Sequence, residues 1–483
     1  MEYAAPIWNP HLVKNVKLEK LQRLTTKLIP ELRGISYEKL RGAKPDDTRG
    51  QRDQIECCSE TGDVEATQES VKATVKEWSA LSSGYHSSVG SSEASLGTLE
   101  SSQVVDARSS GEDDDSDWGE DEWPVERALP LPKWGCERPE LNLLTLDQYE
   151  DFLIHVTQHL QYILSSHCYD TVSNFIMFSE EYVSSRSEYP ALEEFYRDYD
   201  PPLLPGRHTC VGLSCLLDTR LSALELQYPG LKDSVYKVSC EEEVDNVEWY
   251  CTGDAPPVTC EKEHVLLCIR IRVCGRAGVV LLDPGYHIGE PVTVMEDGLA
   301  PQSGAIRAST ARAQVMRFYR YWFWPDNPSF VAWEVTEERE RKPAHQHISL
   351  IHVARPFLSG IDVAERRNLA YPFKTLVARE PTGRLRCGLY FPLRDCHRSY
   401  VTLFHLVAGL PHHVKVPLDY FLEESSREDY IDAAIEAVAA GTGRTMEDLC
   451  FTLTAVARLL SDQNLLLQLA QLNEAIDSIS KNN

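Results

Sequence analysis

The chain is poor in positive charge: its 483 residues hold 48 Lys and Arg against 74 Asp and Glu, a formal net charge of −26. A nucleic-acid surface needs a basic footprint, so no nucleic-acid partner is expected. Paired metal-binding or redox cysteines are also missing. The 14 cysteines are scattered and none forms Cys-x-x-Cys. With no signal-like apolar segment after Met1-Glu-Tyr-Ala-Ala-Pro6, they read as reduced thiols of a cytoplasmic protein. No apolar run approaches membrane-spanning length, so no membrane partner is expected. Gly-x-x-x-x-Gly-Lys and Gly-x-Gly-x-x-Gly do not occur, which leaves nucleotide-dependent transfer and redox chemistry without support.

The charge imbalance is partly local. Glu112 to Glu122 holds eight acidic residues and no basic one. Around it, residues 43–135 are rich in Ser, Glu, Asp and Thr and hold few apolar anchors. Such a composition does not offset chain entropy, so this stretch reads as a disordered acidic linker. Ser109, Ser110 and Ser116 are sites for an acid-directed kinase. Trp118 and Trp123 offer a short motif for a protein partner, although a solvated linker is the simpler reading.

From Leu141 onward the chain reads as a folded α+β protein. Leu146, Tyr149, Phe152, Leu153, Val156, Leu160, Ile163 and Leu164 form one helical stripe. After the loop residues Pro205-Gly206, Thr209 is placed as an N-cap. Leu213, Leu216, Leu217, Leu221 and Leu224 then carry an apolar helix face towards Tyr228-Pro229-Gly230. Cys210 falls in the first turn of that helix, where unpaired N–H groups and the helix dipole favour a thiolate.

A base and an orienting acid follow. His264 opens a strand whose odd positions, Val265 to Val273, are all aliphatic, which puts His264, Leu266, Cys268, Arg270 and Arg272 on the other face. Val279 to Leu282 returns as a second strand and ends at Asp283-Pro284-Gly285. If Gly275-Arg276 makes the turn, Asp283 stands opposite Cys268, on the His264 face but four residues along. A one-residue slip would reverse its face. Cys210, His264 and Asp283 thus form a thiol triad in outline.

This order of Cys at a helix start, His-Val-Leu-Leu on a strand and Leu-Leu-Asp-Pro-Gly resembles the arylamine N-acetyltransferase family and the wider transglutaminase-like group of cysteine enzymes. The likeness spans roughly 141–479 and is concentrated between Gly206 and Gly285. It implies a transglutaminase-like (papain-like) core: a helical layer, a strongly bent antiparallel sheet or barrel, and C-terminal helices. Cys210, His264 and Asp283 match the nucleophile, base and orienting acid. Acetyl-CoA would be the co-substrate, with no resident cofactor, and a small arylamine-like molecule the acyl acceptor.

Departures from the pattern keep other classes open. Gly206-Arg-His-Thr-Cys210 stands where these acetyltransferases usually read Arg-Gly-Gly-x-Cys, and Ser214 takes the place of an Asn. Cys-Val-Gly-Leu-Ser is closer to transglutaminase-like domains, whose His-Ala-Trp is absent. The alternatives are a transglutaminase-like hydrolase or transamidase and an inactive interaction scaffold using the acidic arm.

Residues 1–42 stand apart. Tyr3 to Arg41 resembles the tail that follows the polymerase domain of non-LTR retrotransposon reverse transcriptases, without a polymerase aspartate motif. The organisation expected is therefore this tail, the linker at 43–135, a helical subdomain at 136–230, a β-rich subdomain at 231–410 and a helical region at 411–483. Val315–Trp324, Phe330–Val335, His347–His352, Leu376–Arg379 and Leu385–Phe391 are the expected later strands. His345, His347 and His352 lack a third and fourth ligand at credible spacing, so no metal site is assigned. His412-His413 falls in an expected loop. Trp322, Trp324 and Trp333 read as core packing, with an acceptor pocket as the sharper alternative.

Overall fold

The computed structural model describes residues 123–258, 264–286, 288–308, 315–339, 343–422 and 428–480. The retroelement-like tail, the serines at 109, 110 and 116, and Trp118 lie outside them. Helix and sheet are mixed, with a strongly curled antiparallel half-barrel sheet and C-terminal helices. No described helix is long and apolar enough to cross a membrane.

The chain enters through β1 (Leu141–Leu143), α1 (Leu146–Ser166), β2 (Tyr169–Asp170), α2 (Val172–Ser184) and α3 (Leu192–Asp198). Thr145 caps α1 by accepting from the Gln148 N–H, and the expected stripe is buried from Tyr149 to Leu164. The helix α4 (Cys210–Leu221), which Cys210 opens, follows. It ends earlier than its apolar spacing predicts: a 3₁₀ turn over Ser222–Leu224 takes up the last leucine.

The curled sheet is built from β3 (Val235–Glu241), β4 (His264–Val273), β5 (Arg276–Leu282), β6 (Val292–Met295), β7 (Ile306–Arg307), β8 (Val315–Phe323), β9 (Phe330–Arg339) and β10 (His345–His352). Their order is β6-β5-β4-β3-β10-β9-β8-β7, with β1 pairing parallel to β4. Alternation along β4 works as the sequence predicts. Leu267, Ile269 and Ile271 pack with α1 and α4, whereas Leu266 and Cys268 face the sheet interior with Tyr236, Val279, Tyr319 and Trp333.

A second sheet joins β11 (Phe373–Arg379), β12 (Leu385–Pro392), β13 (Tyr400–Val407) and β14 (Leu410–Pro417) to β2, in the order β14-β13-β12-β11-β2. Helices α5 (Asp429–Gly441), α6 (Met446–Leu459) and α7 (Gln463–Asp477) close over it. Val438, Leu453 and Leu469 share a core there with Phe175, Leu389 and Leu403. His412 and His413 are not in a loop: they lie on β14, opposite His405 and Phe404. Thus 410–417 is strand, and β14 runs across the expected boundary at 410.

The stretch from Trp123 to Gly135 departs from the linker expectation. Leu129 is fully buried and Ala128 nearly so. Arg197 donates to the carbonyls of Trp123, Pro124, Val125 and Arg127 while its guanidinium lies over the Trp123 ring. Trp134 bridges to Phe357, and the Gly135 N–H bonds the Pro356 carbonyl at 2.8 Å. The stretch brings its own apolar residues: Trp123, Ala128, Leu129 and Trp134 join a core whose other members lie far along the chain, while Val125 stays exposed.

Candidate active site

Cys210 is the first residue of α4. Thr209 is extended at the N-cap and accepts from the Val211 N–H at 3.3 Å. Its hydroxyl also donates to the fully buried Glu365 carboxylate, which Asn174 bonds from the other side. Glu365 ends a π-helical turn, Gly360–Glu365, of the kind often found at functional sites. Burial raises its carboxyl to about 7, against the Thr209 and Asn174 hydrogen bonds. Ser214 is buried and donates to the Val265 carbonyl at 3.4 Å, tying α4 to β4.

His264 and Asp283 come from one hairpin. Its tight turn is Cys274-Gly275, both with positive φ (50° and 82°), rather than Gly275-Arg276. Val273 therefore pairs with Arg276 and Leu267 with Leu282. Moving the turn by one residue changes the pairing by two, so Asp283 keeps its face and falls level with Leu266 rather than Cys268. That places it two residues from His264 along the hairpin instead of four.

The three residues meet in a buried cluster, 1, 4 and 8% exposed for Cys210, His264 and Asp283. His264 Nε2 bonds Asp283 Oδ2 at 2.8 Å. The other Asp283 oxygen accepts the backbone N–H groups of Gly285 (2.9 Å) and Tyr286 (3.1 Å), which fixes the plane of the carboxylate. The Cys210 side chain is also hydrogen-bonded to the imidazole. With Nε2 taken by Asp283, Nδ1 is the ring nitrogen left for the thiol. Burial alone disfavours the imidazolium, but the charge and hydrogen bond of Asp283 outweigh it, with a further contribution from Cys210. The ring is held protonated well above its usual 6.5.

Three neighbours escape a sequence reading. Gly285 sits between Cys210 and His264: a β-carbon there would stand 3.1 Å from Cys210 Cβ and 3.0 Å from His264 Cε1. Tyr286 packs edge-on against the imidazole and donates its hydroxyl to Glu242 at 2.8 Å. Arg379, buried on β11, donates to the Gly285 carbonyl. Only the Asp-Pro-Gly run gave a signal, as a turn.

The tryptophans separate. Trp333 is buried in the half-barrel interior against Tyr286 and Tyr321. Trp322 and Trp324 pack on the opposite face with Tyr250 and Phe330. His345 and His347 share a face of β10 with rings 5.8 Å apart, while His352 is turned to the Asp254 carbonyl. Among the described residues, Asp395, Cys396 and His397 are near enough to share a metal, but Cys396 bonds Ser461 and Asp395 accepts the His397 N–H. A cavity of about 280 Å³ is lined by Glu137, Glu140, Asp254, Arg270, Glu296 and Arg355 among others, and not by Cys210, His264 or Asp283.

No family model and no curated protein matches the chain.

Proposed function

We propose that this protein is a cysteine acyltransferase of the arylamine N-acetyltransferase-like type within a transglutaminase-like fold. The observation that carries the reading is the use of the imidazole: Asp283 occupies Nε2 and leaves the other ring nitrogen to Cys210. A nucleophile, its base and an orienting carboxylate need that arrangement.

In the first half-reaction the Cys210 thiolate attacks the thioester carbonyl of acetyl-CoA. A new C–S bond forms to Cys210, the C–S bond to CoA breaks, and the His264 imidazolium gives its proton to the departing thiolate. The amine acceptor then attacks the acyl-enzyme. Its nitrogen bonds the carbonyl carbon, Cys210 leaves as thiolate, and the amine proton passes to His264. Apart from the Val211 N–H, which Thr209 takes, the backbone N–H groups at the start of α4 would face the developing oxyanion. Tyr286 gives the site an aromatic wall suited to an aryl acceptor. The described cysteines are all free thiols, in keeping with a reducing cytoplasmic setting.

The test is peptide mass mapping after incubation with acetyl-CoA and acid quench. An acetyl group on Cys210, discharged by an added arylamine, is expected. A folded protein with unmodified Cys210 sinks the acetyltransferase reading. Ammonia release from glutamine peptides would then favour the transamidase, and its absence the scaffold.

A further inference from the structure

His264 has a second acidic neighbour, placed there by strand register. Cys240 stands opposite His264 in the β3–β4 ladder, so Glu242, two residues on, falls to the same interior side. It accepts the Tyr286 hydroxyl at 2.8 Å, and the Tyr286 ring lies 4.9 Å from the His264 ring at 61°. Tyr286 is held at its other end as well, by its N–H to Asp283. The ring on the flank of His264 is therefore clamped between two carboxylates.

We infer that Glu242 is a positioning residue for His264: it locks Tyr286 against the imidazole and, in its ionised form, favours the imidazolium. The inference rests on the reading of Cys210 and His264 as a reacting pair. Burial pushes the Glu242 carboxyl up, the His264 charge and the Tyr286 hydrogen bond pull it down, and Asp283 and Glu241 oppose them. Glu243 beside it is raised to about 7, by burial and then by Glu242. His264 is thus faced by Asp283, Cys210 and Glu242, and Glu242 by Tyr286, Tyr319, Glu241 and Glu243. Crowding carboxylates at one buried spot is unfavourable unless a cation shares it, and the imidazolium is that cation.

The experiment is a ¹⁵N NMR titration of the His264 ring in the full chain without acyl donor, the signal assigned by its loss in His264→Ala. In Glu242→Gln the midpoint should fall by roughly one pH unit, as expected when a neighbouring opposite charge is removed. Tyr286→Phe should give a smaller fall, because the ring stays while the carboxylate loses its anchor. Glu242→Asp should restore most of the wild-type midpoint, which mere space-filling would not do. An unchanged midpoint in Glu242→Gln, or a fall in Glu242→Asp as large as in Glu242→Gln, overturns the role. Neither result touches acetylation of Cys210, so the proposed function stands or falls separately.

Discussion

Gly285 lies directly against Cys210, so close that even a methyl group would contact the Cys210 β-carbon at 3.1 Å and the His264 ring at 3.0 Å. No left-handed backbone is involved; the constraint is space alone. Gly285→Ala should therefore fold but push sulfur and imidazole apart. Alkylation of Cys210 should slow by roughly 10- to 100-fold, the scale of an ångström-sized misplacement. Quantitative cysteine labelling by mass spectrometry checks this, and an unchanged rate would show the pair to be loosely held.

Reactivity should single out Cys210 in the native protein. Burial pushes Cys168 up to about 11 and Cys251 and Cys268 up to about 12, so these stay thiols at mildly acidic pH. Cys210 borders an imidazolium and a helix N-terminus instead. Its labelling by iodoacetamide near pH 6 should outpace that of exposed Cys136 and Cys274. His264→Ala should remove the advantage, while Asp283→Asn should weaken it less. Equal rates for Cys210 and Cys136 would make the cluster structural.

The His264–Asp283 pair also sets a pH dependence. Folding raises the imidazole above its usual 6.5, so the stabilisation is complete below 6.5 and is lost as pH rises through the higher folded value. Urea unfolding should show the gap between wild type and Asp283→Asn widest near pH 6 and narrowing at alkaline pH. A gap that grows with pH contradicts the sign.

Glu365 should act in a lower window. Its carboxyl is raised from 4.5 to about 7, so its contribution is present below 4.5 and is lost as pH rises towards 7. Glu365→Gln should flatten the stability profile over that interval. It should leave the alkaline behaviour of the His264–Asp283 pair in place, which the same urea series records.

Truncation separates packed chain from the rest of the arm. Residues 43–122 are rich in Ser, Glu, Asp and Thr and poor in apolar anchors, so deleting 1–122 should leave the unfolding midpoint of the remainder unchanged. Deleting through 135 should lower it sharply, since burial of Leu129 alone is worth about 2–5 kcal/mol on truncation to Ala. Differential scanning calorimetry of the two forms decides.

Local pattern carried much of this. The aliphatic odd positions of β4 announced both the strand and the face of His264, and the Pro-Gly before Thr209 announced the helix start. What stayed hidden was set by contacts distant in sequence. Cys274 adopts a left-handed conformation that a non-glycine residue rarely takes, so the turn was placed one residue late. Trp123 and Leu129 looked like linker because their partners, Arg197 and the core around Phe178, lie far along the chain. Glu242 and Tyr286 carry no motif. Only the pairing of Cys240 with His264 brings the first to the site.

The bond from Arg379 to the Gly285 carbonyl spans 94 residues and joins one sheet to the other. During synthesis α4 and the β4–β5 hairpin leave the ribosome well before β11 exists. The loop holding Asp283 and Gly285 thus lacks its last tie until the second sheet has formed. Non-local ties of this kind close late in folding. A nascent chain would carry the thiol and the imidazole well before Arg379 could fix the loop between them.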